Sequence, residues 1–166
     1  CEFGRTVHVS VYGVTFVATT RIDCNNPSGS AEGLFRVDFA GSVGLEMIAL
    51  IGDPTDIGGG DTYQRFRDTP SIEDNGIVAF RADTSTTEAV FRCVPGAGCP
   101  NSNLPVSIVE KGQLHSGSEL RRFSGPQVSN NGDVVFQARP RGGSAVGRTL
   151  YVRRNGGAIE RIVTGE

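Results

Sequence analysis

Apolar and polar residues alternate along the chain in short runs, and each run closes on a turn signal. The run "GIVAFRAD", from Gly76, shows the pattern. In an extended strand Ile77, Ala79 and Arg81 fall on one side and Val78, Phe80 and Ala82 on the other. One side is apolar throughout and is expected to pack on a neighbouring sheet. Helical periodicity is missing, and Val, Ile, Thr and Phe dominate the apolar runs. The expected fold class is all-β, with many turns.

The runs recur as a set. "PSIEDNGIVAFRA", from Pro70, returns as "PQVSNNGDVVFQA", from Pro126. Four runs make a copy. In the middle copy they are "TPSIED", "GIVAFRAD", "EAVFRCV" and "LPVSIVEKG"; in the last they are "GPQVSN", "GDVVFQARP", "RTLYVRR" and "GAIERIVTG". A first, weaker copy reads "RTVHVSV", "GVTFVATTR", "EGLFRVDF" and "GLEMIALIG". The 166 residues thus form one repeat domain of three four-stranded antiparallel units, 1–66, 67–122 and 123–166. Asn75-Gly76 and Asn131-Gly132 predict type I′ hairpin turns, because both residue types accept positive φ. Tyr12-Gly13 holds the corresponding place in the first copy. Pro70 and Pro126 are expected at the first residue of a strand, where a missing donor does least harm.

A period of this length with four strands is that of propeller blades or a related stacked-sheet array. The recurring Pro-x-(Ile/Val)-x-(Asp/Asn)-Asn-Gly-x-Val-(Ala/Val)-Phe-x-Ala pattern resembles the TolB-type propeller repeat. It is more similar still to secreted bacterial repeat proteins with "PSINDAG-VAF" blades. The resemblance spans nearly the whole chain. The first copy departs from it, lacking the Pro and the Asn-Gly. It implies a blade scaffold and carries no catalytic residue.

The cysteines sharpen the register. If Tyr12-Gly13 is a two-residue turn, His8 faces Val17, Arg5 faces Thr20 and, further out, Cys1 faces Cys24. A Cys1–Cys24 disulfide is therefore expected, with lipid attachment at Cys1 as the alternative. Cys93 and Cys99 bracket "VPGAG", and a second, small-loop disulfide fits there. Two disulfides imply an oxidising, extracellular setting. The chain begins at Cys1 and its only methionine is Met47, so either a signal segment has been removed or the sequence is an excised piece.

Charge changes the picture little. A net charge of -2, with arginines scattered along the chain, gives no basic stripe for nucleic acid. No apolar run is long enough to span a bilayer as a helix.

Candidate chemistry is sparse. Asp53, Asp56 and Asp61, in "GDPTDIGGGD", are hard oxygen donors that suit Ca²⁺, against the simpler reading of a solvated acidic loop. His8 and His115 are the only histidines, and no nucleophile-elbow motif accompanies them. His115, Ser116 and Glu119 are read as ordinary loop polarity. Glu46 and Glu160 recur in run four and are read as exposed strand positions rather than a glycosidase pair. Arg36, Arg92 and Arg153 are read as recurring at one place in run three, a ladder for anions or, more simply, solvent-facing stems. "TSTTE", Thr84–Glu88, is a candidate for O-glycosylation.

Three units cannot close a propeller, so each end is expected to present an apolar blade face to a neighbour. The function expected is that of a non-catalytic extracellular structural protein associating head to tail with copies of itself, into a filament, tube or ring. The alternative is a protein- or glycan-binding module of a larger secreted propeller. Trp is absent and Tyr12, Tyr63 and Tyr151 are the only tyrosines, which is poor for sugar stacking and favours self-association.

Overall fold

The structure, a computed structural model, describes residues 2–12, 15–23, 31–38, 44–95, 104–142 and 147–164. Among these residues there is no helix, and every sheet is antiparallel. The first sheet is β1 (Glu2–Tyr12), β2 (Thr15–Asp23), β3 (Ala31–Asp38) and β4 (Gly44–Leu50), in that order. The second is β5 (Tyr63–Ile72), β6 (Val78–Thr84), β7 (Glu88–Cys93) and β8 (Val106–Glu110), again in order. The third runs β13 (Ile159–Thr164), β12 (Thr149–Arg153), β11 (Val134–Arg141), β10 (Ser118–Val128), with the two-residue β9 (Leu114–His115) outside β10. The third sheet therefore has a fifth strand that the repeat does not predict.

The sheets are layers sharing apolar faces. Leu34, Ile48 and Ala49 of the first sheet meet Tyr63, Phe66, Phe80 and Phe91 of the second in one core. Ala79, Val90, Ile108 and Val109 on the other side of the second sheet meet Phe123, Val134, Phe136 and Tyr151 of the third. The second sheet is thus buried on both sides, where the alternation of β6 showed one wholly apolar side. The charged member of the other side, Arg81, is half-buried and held by Asp68 at 2.6 Å and Glu88 at 2.9 Å. A cross-strand aromatic pair recurs in the second and third sheets: Phe80 stacks on Phe91 at 5.4 Å, and Phe136 stacks on Tyr151 at 5.8 Å. Each such ring, fully buried, contributes about 1.5–3 kcal/mol. The long first strands lie side by side, β5 touching both β1 and β10.

Several local expectations are corrected. The Asn-Gly turns are not type I′. Glu73 to Gly76 is a β-turn, with Gly76 N–H bonded to the Glu73 carbonyl at 2.8 Å, and Glu73 N–H bonded to Ile77. Gly76 alone takes positive φ, 76°, and Gly132 does the same at 79°. These are three-residue loops ending in a left-handed glycine, a geometry that demands only one special residue. A turn with two positive-φ residues does occur, at Ser116 (48°) and Gly117 (77°), joining β9 to β10. Tyr12 is still in the ladder, opposite Thr15, and His8 faces Thr19 rather than Val17. Two register shifts then bring Glu2 opposite Asp23.

Pro70 and Pro126 lie inside β5 and β10, not at their starts. Both sit within register shifts, Arg67 to Ser71 and Ser124 to Gln127, where the ladder asks no donor of them. The residues before them are strand, so the second sheet begins at Tyr63 and the third at Leu114. Both strands also hold a non-glycine residue in the left-handed region, Asp68 (55°) and Arg122 (52°), so this kink belongs to the architecture.

Candidate functional surfaces

The acidic loop is built as a structural staple. Asp61 is buried, and its carboxylate accepts from the Thr55 hydroxyl at 2.7 Å, the Ser85 hydroxyl at 2.8 Å, the Thr86 hydroxyl at 2.7 Å and the Thr86 N–H at 2.8 Å. Burial pushes its carboxyl up, but these hydrogen bonds, with Thr84 adding to them, outweigh that and hold it at about 2. The segment at Thr84–Glu88 is thereby tied to the loop after the first sheet. Asp53 turns the other way and accepts from Leu50 N–H at 2.8 Å. Asp56 accepts from Ser107 N–H at 2.7 Å, with burial pushing its carboxyl up. The structure does not bring the three together: among the described residues no three acidic, His or Cys side chains form a metal-sized group.

The arginines of run three have a role the sequence reading missed. Arg36 Nη1 donates to the Gly76 carbonyl at 2.8 Å, and Arg92 Nη1 donates to the Gly132 carbonyl at 2.6 Å. Each arginine reaches from one sheet to the hairpin turn of the next. Arg36 also pairs with Glu46, and Arg92 with the Asn155 side chain at 2.8 Å. Arg153 does not belong to this series. Phe80 faces Phe91 as Phe136 faces Tyr151, so the position of Arg92 is taken by Val152, while Arg153 matches Cys93. Arg153 instead lines a recess of about 560 Å³ together with β8 and the turn after it, from Ser107 to Gln113. Glu46 and Glu160 do hold equivalent places, but Glu160 is exposed beside Arg154.

His115 lies edge-on to the Tyr151 ring at 5.4 Å, and no hydrogen bond joins it to a serine or a carboxylate among the described residues. Cys93 is buried and disulfide-bonded. Cys1, Cys24 and Cys99 lie outside the described residues, as do the pairings expected of them.

On the far face of the third sheet, opposite the core positions Val134, Phe136 and Ala138, β11 presents half-buried Val135, partnered by buried Val152 of β12, and then Gln137, Arg139 and Arg141, all exposed. The exposed large apolar side chains among the described residues sit elsewhere: Met47 on β4, Val106 on β8, Leu114 on β9 and Ile162 on β13, with Leu104 just before β8. All these strands are sheet edges. Comparison with known proteins adds no assignment: no family model, no curated protein and no solved structure matches the chain.

Proposed function

We propose that the chain is a non-catalytic extracellular structural protein, a propeller-like stack that works by associating with copies of itself. One observation carries the reading: among the described residues, most of the large apolar side chains left exposed are on the edge strands β4, β8, β9 and β13. An open edge offers a row of free N–H and C=O groups, and folded proteins normally guard it with charge. Here Val106 is 51% and Leu114 73% exposed at such edges. On β8 the Ser107 N–H is already taken by Asp56 at 2.7 Å, so contact there is through the exposed Val106 side chain rather than an added strand.

Sedimentation velocity at micromolar concentration, paired with imaging, tests this. Rings, tubes or filaments are expected, and Val106→Lys with Ile162→Lys is expected to return the chain to monomer with its fold intact. A monodisperse wild-type monomer rejects the reading. The second reading, a binding module, is favoured by a separate observation, the cluster of arginines on the third sheet.

A further inference from the structure

Five arginines between positions 121 and 148 gather on the third sheet. Arg121 and Arg139 are direct partners across β10 and β11, and Arg141 lies opposite Glu119. Two adjoining recesses form over them, about 340 Å³ and about 260 Å³, and Arg122 and Arg139 line both. Arg148 lines the second. Arg122 is the left-handed residue of the β10 kink, a conformation that a side-chain-bearing residue adopts at a cost.

Stability does not account for this grouping. Like charges directly opposite in an antiparallel pair are unfavourable. The acids nearby are already engaged. Glu119 takes Arg121 Nη2 on both oxygens at 2.8 Å, which holds its carboxyl below the usual range, and Asp68 takes Arg81. The side chains of Arg122, Arg139, Arg141 and Arg148 make no hydrogen bond or ion pair among the described residues, although Arg141 lies in the field of Glu119 across the ladder. A chain of net charge -2 thus carries a local excess of positive charge, although Glu119 holds Arg121 and the Asp68–Arg81 pair lines the second recess.

We propose that this cleft binds an acidic polysaccharide, through its carboxylate or sulfate groups. The planar guanidinium fork matches both groups and takes them by paired hydrogen bonds. Residues repeat along one face of a strand at roughly 6–7 Å, so Arg139 and Arg141 offer forks in register for successive anionic groups on a linear chain. The lining contains Pro140 and arginine stems but no exposed aromatic ring. Single-stranded nucleic acid is therefore offered no stacking platform, and an acidic peptide no pocket for apolar anchors. This site lies on the sheet, apart from the edge strands, and does not depend on self-association.

The test is titration of the full chain with polygalacturonate and with dextran sulfate, the two arms separating carboxylate from sulfate. Neutral dextran, poly-glutamate and duplex DNA serve as comparisons. At about 50 mM salt one or both acidic glycans are expected to bind, with affinity falling steeply as salt is raised. Arg139→Gln with Arg141→Gln is expected to weaken binding about tenfold or more at unchanged melting temperature, and Arg65→Gln, an exposed arginine on the second sheet, to leave it unchanged. Equal binding by the double variant, tighter binding of poly-glutamate or DNA, or no glycan binding overturns the proposal. Glycan binding by a strictly monomeric chain would reject the self-association reading and leave this one standing.

Discussion

Arg92 Nη1 lies 2.6 Å from the carbonyl oxygen of Gly132, a hydrogen bond from the third strand of one sheet to the first turn of the next. Arg36 makes the same bond to Gly76 one sheet earlier. The turns are also linked to each other, Asn75 Nδ2 donating to the Asn130 carbonyl at 2.7 Å. Apolar layers alone allow sheets to slide over one another; these directed bonds fix the offset.

Replacing Arg92 by Ala should therefore lower stability by about 1.5–3 kcal/mol, the range for hydrogen bonds from charged donors. Burial already pushes its guanidinium down, and Arg153 nearby adds to that. Urea unfolding of the variant measures the loss. An unchanged midpoint would show that the clasp has no energetic weight.

Gly76→Ala and Gly58→Ala separate backbone strain from contact. Both positions have positive φ, 76° and 87°. A Cβ at 76 would sit 2.7 Å from Arg36 Nη1 and 3.1 Å from Pro95 Cγ, while one at 58 meets nothing within 4 Å. Each should cost about 1–2 kcal/mol for the left-handed conformation, and Gly76→Ala more, because it also displaces the clasp. Equal losses would count against a role for Arg36.

Asp61 sets a pH dependence whose sign is fixed. Its carboxyl is held at about 2, against an ordinary value of 3.8, so the folded state favours the ionised form. The stabilisation is present above the ordinary value and is lost as pH falls through about 2. Because the group is buried, the shift corresponds to roughly 2–3 kcal/mol. Urea titrations between neutral pH and pH 2 should show a steeper acid loss for wild type than for Asp61→Asn. Parallel curves would refute the assignment.

Tyr63→Phe should be neutral or stabilising, by up to about 1 kcal/mol. The ring packs edge-on to Phe91 at 5.1 Å, which Phe retains. Its hydroxyl is buried and has no hydrogen-bond partner among the described residues. Thermal melts decide it, and a clear fall in Tm would reveal a bond to that oxygen.

Much of the layering was legible in the residues. The alternation through Phe80 and Phe136 located core positions, and the glycines at 76 and 132 located the hairpin tips. The turn type was not legible, because Asn-Gly suits both a two-residue loop and the end of a three-residue loop; only the φ of Asn75 separates them. Register was lost at bulges. His8 shifted partners, and the prolines moved into strand interiors, since a bulge adds residues without altering the apolar pattern that betrays a strand. The same bulges changed the arginine partners: the unshifted ladder from Val128–Val134 sets Arg121 opposite Arg141, and the two register shifts of β10 set it opposite Arg139. Arg153 misled by sitting one residue beyond the clasp position, a slip that reverses the face of a strand.

Because the second sheet supplies one wall to each core, neither core can open without exposing it. Val78, Phe80 and Ala82 belong to the first core, and Ala79 and Val90 to the second, at 1% exposure or less. Loss of the first sheet would uncover Phe80 and Phe91, and loss of the third would uncover Val90. The sheets should accordingly melt as one cooperative unit rather than peel away in turn. The amides of β6 and β7 should exchange with solvent only when the whole chain unfolds, making the middle of the stack its slowest clock.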